Sequence, residues 1–428
     1  MKVFTRTIIL VCLMALAFLT NPDVARAYNS QGCAWPIEWS AEGIGNWAIP
    51  DTYARWWVMP FEDNYQTMTI KGAYPNARFF SLAAYNTNSK KMGMRDGLAG
   101  DLYDVEIAPD SGNNPFVNPR RGNGTYTVVI SRHGKTSGNT INVSSDFAWV
   151  LLRLYLPNPD PSLSGRSLMG GVPLPTISVT GNGGSQELQP CSPINRLVDV
   201  NDFRNTLVPF ELSGSQGAPS SDRLWFAPPA VPPPALLPNP DSKYMAMFPG
   251  DQYQPGRIIV IHGRAPGFPD TLNGSPIWVP SRGFRTVDLR YWSLCEVDGA
   301  MPLSMVACVT DLTTYVEGGY YTIVISDDLL RPDWLMPNIN WLPWGDEQYP
   351  KWLVLRHMLP ASNFHYSVQE AAASCGFNFD LPNVPKSTDL DSYGQCAQQV
   401  MGDYYPVAVW CDKSTFIHGG WRACIKGH

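Results

Sequence analysis

The chain has little charge. Only 16% of its 428 residues are Asp, Glu, Lys or Arg, and the formal net charge is −6; globular proteins carry about 25% charged residues. With no basic stripe to neutralise phosphates, nucleic acid and anionic membrane surfaces are excluded as partners. Catalytic signatures are missing too. There is no G-x-S-x-G nucleophile elbow and no H-E-x-x-H helix. No C-x-x-C and no histidine pair at zinc spacing occurs, so the sequence calls for no metal and no cofactor. His133-Gly134-Lys135-Thr136 resembles the end of a phosphate loop, but Val129 stands where the first glycine belongs. Asp389, Asp391 and Gly394 begin like a calcium loop that Tyr393 and Val400 break. Helical signal is nearly absent before the last part of the chain.

One long apolar run is present, at the very start. Lys2 and Arg6 precede the twelve-residue run Ile8–Leu19, and Ala25-Arg26-Ala27 is a small-x-small cleavage site. Residues 1–27 therefore read as a secretory signal peptide, too short to span a bilayer, which needs about 20 apolar residues. The mature chain starts at Tyr28, keeps no transmembrane anchor and is expected to be exported, to the periplasm or the medium. Of nine cysteines, Cys12 leaves with the leader. The eight others, Cys33, Cys191, Cys295, Cys308, Cys375, Cys396, Cys411 and Cys424, form an even set that reads as disulfides in an oxidising compartment. Local pairs are expected, Cys295–Cys308, Cys375–Cys396 and Cys411–Cys424. Cys33–Cys191 would then tie the start of the mature chain to the end of its first half.

The chain also repeats itself. Ala77-Arg78-Phe79-Phe80-Ser81-Leu82 matches Leu289-Arg290-Tyr291-Trp292-Ser293-Leu294, and Gly124–Ser131 matches Gly319–Ser326. Trp149-Val150-Leu151-Leu152-Arg153-Leu154-Tyr155-Leu156-Pro157 matches Trp352-Leu353-Val354-Leu355-Arg356-His357-Met358-Leu359-Pro360. The matches keep their order, with offsets that differ by loop-sized amounts, which is the mark of a duplicated unit. The segments are strand-length, rich in Val, Ile, Tyr, Phe and Trp, and bounded by glycine. The fold class expected is mainly β. Two duplicated jelly-roll or β-sandwich-like units would occupy 28–190 and 246–362. Between them, 191–245 is a connector: Gly/Ser-rich from Ser213 to Ser221, then seven prolines from Ala227 to Pro240. Residues 363–428 form a short helical tail. Ser367–Cys375 has Gly376 as its C′ stop, and Asp389–Met401 is capped by Asp389 and ended by Gly402. Four cysteines staple this tail.

Asn340-Trp341-Leu342-Pro343-Trp344-Gly345, followed by Leu353-Val354-Leu355-Arg356, resembles the C-terminal signature of a large family of exported bacterial proteins with paired β domains of unknown function. Trp292-Ser293-Leu294 and Tyr321-Thr322 fill that pattern's aromatic-Ser-Leu and Gly-Tyr-Thr slots. The similarity covers mainly 285–362, with an echo at 70–160. The first copy has no Asn-Trp-Leu-Pro; Asp146-Phe147-Ala148-Trp149 stands nearby. The resemblance implies a jelly-roll-like β fold and no activity.

Candidate chemistry is sparse. Asp51, Glu62, Asp63, Asp311 and Glu317 are carboxylates that could work in pairs on a glycosidic bond. His262 follows the strand-like run Ile258–Ile261 and stands at its end, where sites often sit. His357 should face away from its neighbour Arg356. The repeated arginines need partners in apolar strands. Either each is buried against a carboxylate such as Asp104 or Asp311, or one, such as Arg290, clamps an anionic ligand. Trp35, Trp39, Trp47, Trp56 and Trp57 read as core; Trp341 and Trp344, in a Pro/Gly-rich loop, read as exposed stacking surfaces. Three functions follow. The first is a non-catalytic exported protein that binds a glycan or small organic ligand near Arg290, Trp341 and Trp344. The second is a secreted hydrolase or lyase using Asp311 and His262. The third is an envelope scaffold for another protein. Oligomeric state is open.

Overall fold

The computed structural model describes residues 32–425 except 43–44, 88–91, 93–95, 119–123, 135–137, 159–168, 192–220, 231–236, 251–252, 275–286, 301–302 and 379–386. The signal-peptide reading of 1–27, nearly all of the Gly/Ser-rich stretch and Pro232–Pro234 lie outside those residues.

The chain is mainly β. The first unit has β1 (Cys33–Ala34), β2 (Ile37–Ser40), β3 (Ala54–Phe61), β4 (Tyr65–Ala73), β5 (Ala77–Thr87), β6 (Gly97–Tyr103), β7 (Thr125–Ser131), β8 (Thr140–Asn142), β9 (Phe147–Pro157), β10 (Thr176–Gly181) and β11 (Gly184–Pro190). The second has β12 (Arg223–Leu224), β13 (Ser242–Met247), β14 (Arg257–Arg264), β15 (Leu289–Asp298), β16 (Met305–Thr310), β17 (Tyr320–Ser326), β18 (Asn340–Pro343), β19 (Lys351–Pro360) and β20 (Val407–Asp412), with α1 (Val368–Cys375), α2 (Ser387–Met401) and α3 (Lys413–Cys424).

The duplication is visible in the topology. One sheet of the first unit runs β2-β3-β9-β5-β6, and its counterpart runs β13-β19-β15-β16. The other runs β1-β11-β10-β4-β7-β8, and its counterpart β12-β20-β14-β17-β18. Strands β3 to β10 thus recur as β13 to β20 in the same sheet positions. Even a parallel pair recurs, β7 with β8 and β17 with β18, in sheets that are antiparallel apart from these and β1 with β11. Backbone strain recurs with it. Leu156 and Leu359, at equivalent strand ends, both have positive φ (45° and 43°), a conformation that costs a non-glycine residue of order 1 kcal/mol.

Each unit is a two-sheet sandwich. In the first, Trp57, Met59 and Phe61 of β3 and Phe80, Leu82 and Ala84 of β5 meet Ile70, Val128 and Ile177 of the opposing sheet. In the second, Leu294, Leu353 and Leu355 meet Ile259, Ile323 and Trp410. The alternate residues of the same strands are buried too. Trp56, Val58, Phe79, Tyr85, Trp149 and Tyr155 pack against Tyr291, Val297, Trp352, Val354 and Met358 of the other unit. The two sandwiches are therefore joined face to face through one sheet of each. Burial on both faces explains why β9 and β19 read as near-continuous apolar runs, interrupted by Arg153 and by Arg356-His357, and not as alternating ones.

The second unit draws strands from outside 246–362. Strand β13 starts at Ser242, in the expected connector, and β20, in the expected tail, pairs β14 and completes the outer sheet. The tail is therefore not separate from the sandwich. Ser367 caps α1, its hydroxyl accepting from Glu370 N at 3.2 Å. Gly376 follows as expected but is extended (φ −68°), not left-handed. It is glycine because a Cβ would lie 2.4 Å from Ala372 O and 2.6 Å from the Ala230 backbone. Helix α2 starts at Ser387, two residues before Asp389, and α3 is a third helix. The cysteines join as Cys33–Cys191, Cys295–Cys308, Cys375–Cys396 and Cys411–Cys424, the pairs that the spacing suggests. Among the described residues, no helix is long and apolar enough to cross a membrane.

Candidate functional site

The three residues expected to hold a ligand do not share a site. Trp344 is fully buried in the second sandwich core, against Tyr253 and Trp410. Trp341 is half-buried on the outer face of the outer sheet, its indole N–H donating to Ser326 Oγ at 2.9 Å. A Pro/Gly-rich loop suggested exposure, but β18 pairs β17 here, setting Trp341 against the outer face and leading the chain so that Trp344, just past the strand, enters the core. Arg290 is buried where the units meet. Its Nη2 donates to Asp104 Oδ2 at 2.6 Å and its Nε to Arg78 O at 2.8 Å. The arginine expected to clamp an anion is occupied by Asp104.

The other repeated arginines are buried alongside it. Arg78 stands 3.5 Å from Asp311, and both side chains are fully buried. Equivalent residues thus reach across in both directions, Arg78 to the second unit and Arg290 to the first. Arg356 pairs with Asp51, whose Oδ2 also accepts from Tyr291 Oη at 2.9 Å and Ser293 Oγ at 2.7 Å. Arg153 donates to Tyr85 Oη and Leu237 O. Burial pushes the Asp311 carboxyl up to about 7 and Asp104 up to about 6, in each case against the pull of the facing arginine. His357 faces away from Arg356, fully buried, its Nδ1 accepting from Val368 N at 3.1 Å, and burial lowers it to about 3. Asp51, Cys295 and Cys308 bring three potential ligand atoms together, but both sulfurs belong to one disulfide and offer no thiolate.

His262 lies elsewhere. Alternation along β14 sends Ile259 and Ile261 into the sandwich core and Ile258, Val260 and His262 to the outer face. His262 and Thr322 are cross-strand partners, with Nδ1 and Oγ1 3.0 Å apart, and Arg264 pairs with Tyr320 two residues along, on the same face. Above this floor lies α3, tied to β20 by Cys411–Cys424. The helix breaks at Gly420 (φ 64°, ψ −166°), a left-handed position that suits glycine. Past the break, Trp421 lies flat on His262, with ring centroids 3.6 Å apart and planes 14° off parallel. Tyr320 lies 5.4 Å from His262, also parallel, and donates its hydroxyl to Asp403 at 2.8 Å.

Beside this stack opens a cleft of about 710 Å³. Its walls are Glu317, Met336, Asn338 and Ile339 on one side and Gly419–Arg422 on the other. Asn338 Nδ2 donates to Glu317 Oε2 at 3.3 Å. Burial, then the Arg422 charge, lowers His262 to about 4, so the imidazole is neutral at pH 7. The volume falls within the range of small-ligand sites, about 300–1,000 Å³. Sequence reading found His262 and Glu317. It missed Trp421 and Arg422, whose one local signal is the Gly419-Gly420 break beside a stapled cysteine. Asp311 lies at the contact between the units and His262 on the outer sheet, so the pair named for catalysis is not assembled.

No protein-family model matches the sequence, and no curated protein matches it. The chain is similar to an uncharacterised protein from Burkholderia cenocepacia of solved structure, at 14% identity and a TM-score of 0.46. That match covers 79% of this chain and 81% of that one. It is also similar to a Vibrio parahaemolyticus protein of solved structure, at 11% identity and a TM-score of 0.37, over 74% of this chain and 87% of that one. These scores are too low to carry an activity or a fold across.

Proposed function

We propose that this is an exported protein of two fused β-sandwiches that binds a glycan or small organic ligand in the cleft beside His262 and Trp421. The observation that carries the reading is the cleft itself. It has apolar walls at Met336 and Ile339, an aromatic stack at its side, and polar groups of both kinds at its rim. Such a mixture suits sugars, which present C–H faces and hydroxyls together. Export is supported by the leader-like segment and by four disulfides, which persist in oxidising compartments. The resemblance to exported paired-β proteins belongs to the same reading.

Native mass spectrometry of protein secreted into an oxidising compartment tests it. A retained adduct of defined mass is expected in the wild type and lost in Trp421→Ala. An adduct retained by that variant would place the ligand elsewhere. A second reading, a carboxylate-dependent hydrolase, is favoured only by Glu317 sharing the cleft with His262. Turnover of an extracellular polymer, abolished in Glu317→Gln, would replace binding with catalysis.

A further inference from the structure

The stack in the cleft has four members, not three. Beyond Tyr320, His262 and Trp421, the Arg422 guanidinium lies over the Trp421 ring, 4.6 Å from its centroid. A guanidinium held over a ring by cation–π attraction still has its N–H donors available to a ligand. Arg422 is exposed and, among the described residues, has no carboxylate within ion-pair distance. That sets it apart from Arg78, Arg290 and Arg356, which are all buried against acids. The neutral His262 leaves Arg422 as the one cation of the stack. Across the cleft stands Glu317, held by Asn338. A carboxylate and an amide there accept from and donate to hydroxyls, and Met336 and Ile339 offer apolar contact.

We propose that the cleft selects acidic sugars, and that Arg422 binds the carboxylate of a uronate residue. A planar carboxylate matches the guanidinium fork with two parallel hydrogen bonds. The uronate's hydroxyls face Glu317 and Asn338, and its C–H face packs on the apolar wall. This rests on the binding reading above and adds the ligand's charge and chemical class.

The test is titration calorimetry of the full mature protein with galacturonate, glucuronate and mannuronate oligosaccharides and their neutral methyl esters, at low and high salt. The wild type is expected to bind at least one acid about tenfold or more tightly than its ester, a ratio that falls as salt screens the exposed pair. In Arg422→Gln the acid-to-ester ratio is expected to fall to within about twofold of unity. Arg422→Lys, which keeps the charge but not the fork, should restore only part of it. Because Arg422 is exposed, the thermal midpoint of each variant should match the wild type, so that a changed ratio reports on the site. Binding of esters and acids with equal affinity, or an Arg422→Gln variant that keeps the preference, would overturn the acidic-sugar assignment and leave the binding reading standing. Binding of neither class by the wild type would likewise overturn the acidic-sugar assignment, and the binding reading itself falls only if native mass spectrometry also finds no retained adduct.

Discussion

Arginine and aspartate cost the most to desolvate, and this protein buries several of them where its two units meet. Arg78–Asp311 and Arg290–Asp104 are equivalent pairs with different geometry, 3.5 Å and 2.6 Å. In both, burial outweighs the attraction and raises the carboxyl above its ordinary value of 3.8. The sign follows from linkage. A carboxyl whose folded value is raised binds its proton more tightly in the native state than in the unfolded chain. Its contribution to stability is present near pH 4 and is lost as the pH rises through about 6 for Asp104 and about 7 for Asp311. The lowered His262 and His357 act in the opposite sense over this range, so the aspartate is read as a difference: the unfolding free energy of the wild type relative to Asp311→Asn, from chemical denaturation, should decline between pH 4 and 7. A difference that rises over this range would mean that the Arg78 attraction dominates the desolvation of Asp311.

At the scale of elements, the cleft depends on how α3 is seated. The helix packs on β20 and β14, and Phe416 is its one deeply buried residue. So little apolar surface needs a staple, and Cys411–Cys424 supplies it across a separation of 13 residues. Loops of that size are worth about 3 kcal/mol in the chain-entropy picture. Replacing both cysteines by serine should raise amide exchange across Lys413–Cys424 while β15 and β19 stay protected, and should loosen the Trp421–His262 stack. Unchanged protection in the helix would show that packing alone seats it. The same scale shows what local pattern conveys. The strands of both copies are legible because β-branched and aromatic residues bounded by glycine mark them wherever they lie. Ser367 announces α1 because capping is a local hydrogen bond. The burial of Trp344 is not legible, since its loop residues resemble those of exposed turns and the parallel β17–β18 pairing involves no local turn.

For the whole molecule, the contact between the sandwiches is built like a core. Trp56, Trp149, Tyr291 and Trp352 are buried there as deeply as the residues inside each sandwich. Units joined by such a surface should not unfold separately. Calorimetry should give one transition whose van't Hoff and calorimetric enthalpies agree. Trp352→Ala should cost about 3–5 kcal/mol and move that transition as a whole. Two separated transitions would show the units to be independent domains. The repeated arginines belong to this scale. Their presence in both copies is visible in the chain, and so is their need for partners. Which acid each meets is not, because Arg290 and Asp104 are 186 residues apart.

The sequence by itself determined the β class and the duplication, because both rest on local pattern; it suggested the cysteine pairs, which the structure then fixed, Cys33–Cys191 across 158 residues. Only the tertiary structure decided that the two units share a buried face and that Arg290 and Trp344 are structural. It alone decided that the open cleft is built from His262, the 317–339 segment and Trp421-Arg422. These segments are far apart in the chain and meet only because strand pairing and one disulfide fold them onto the same sheet.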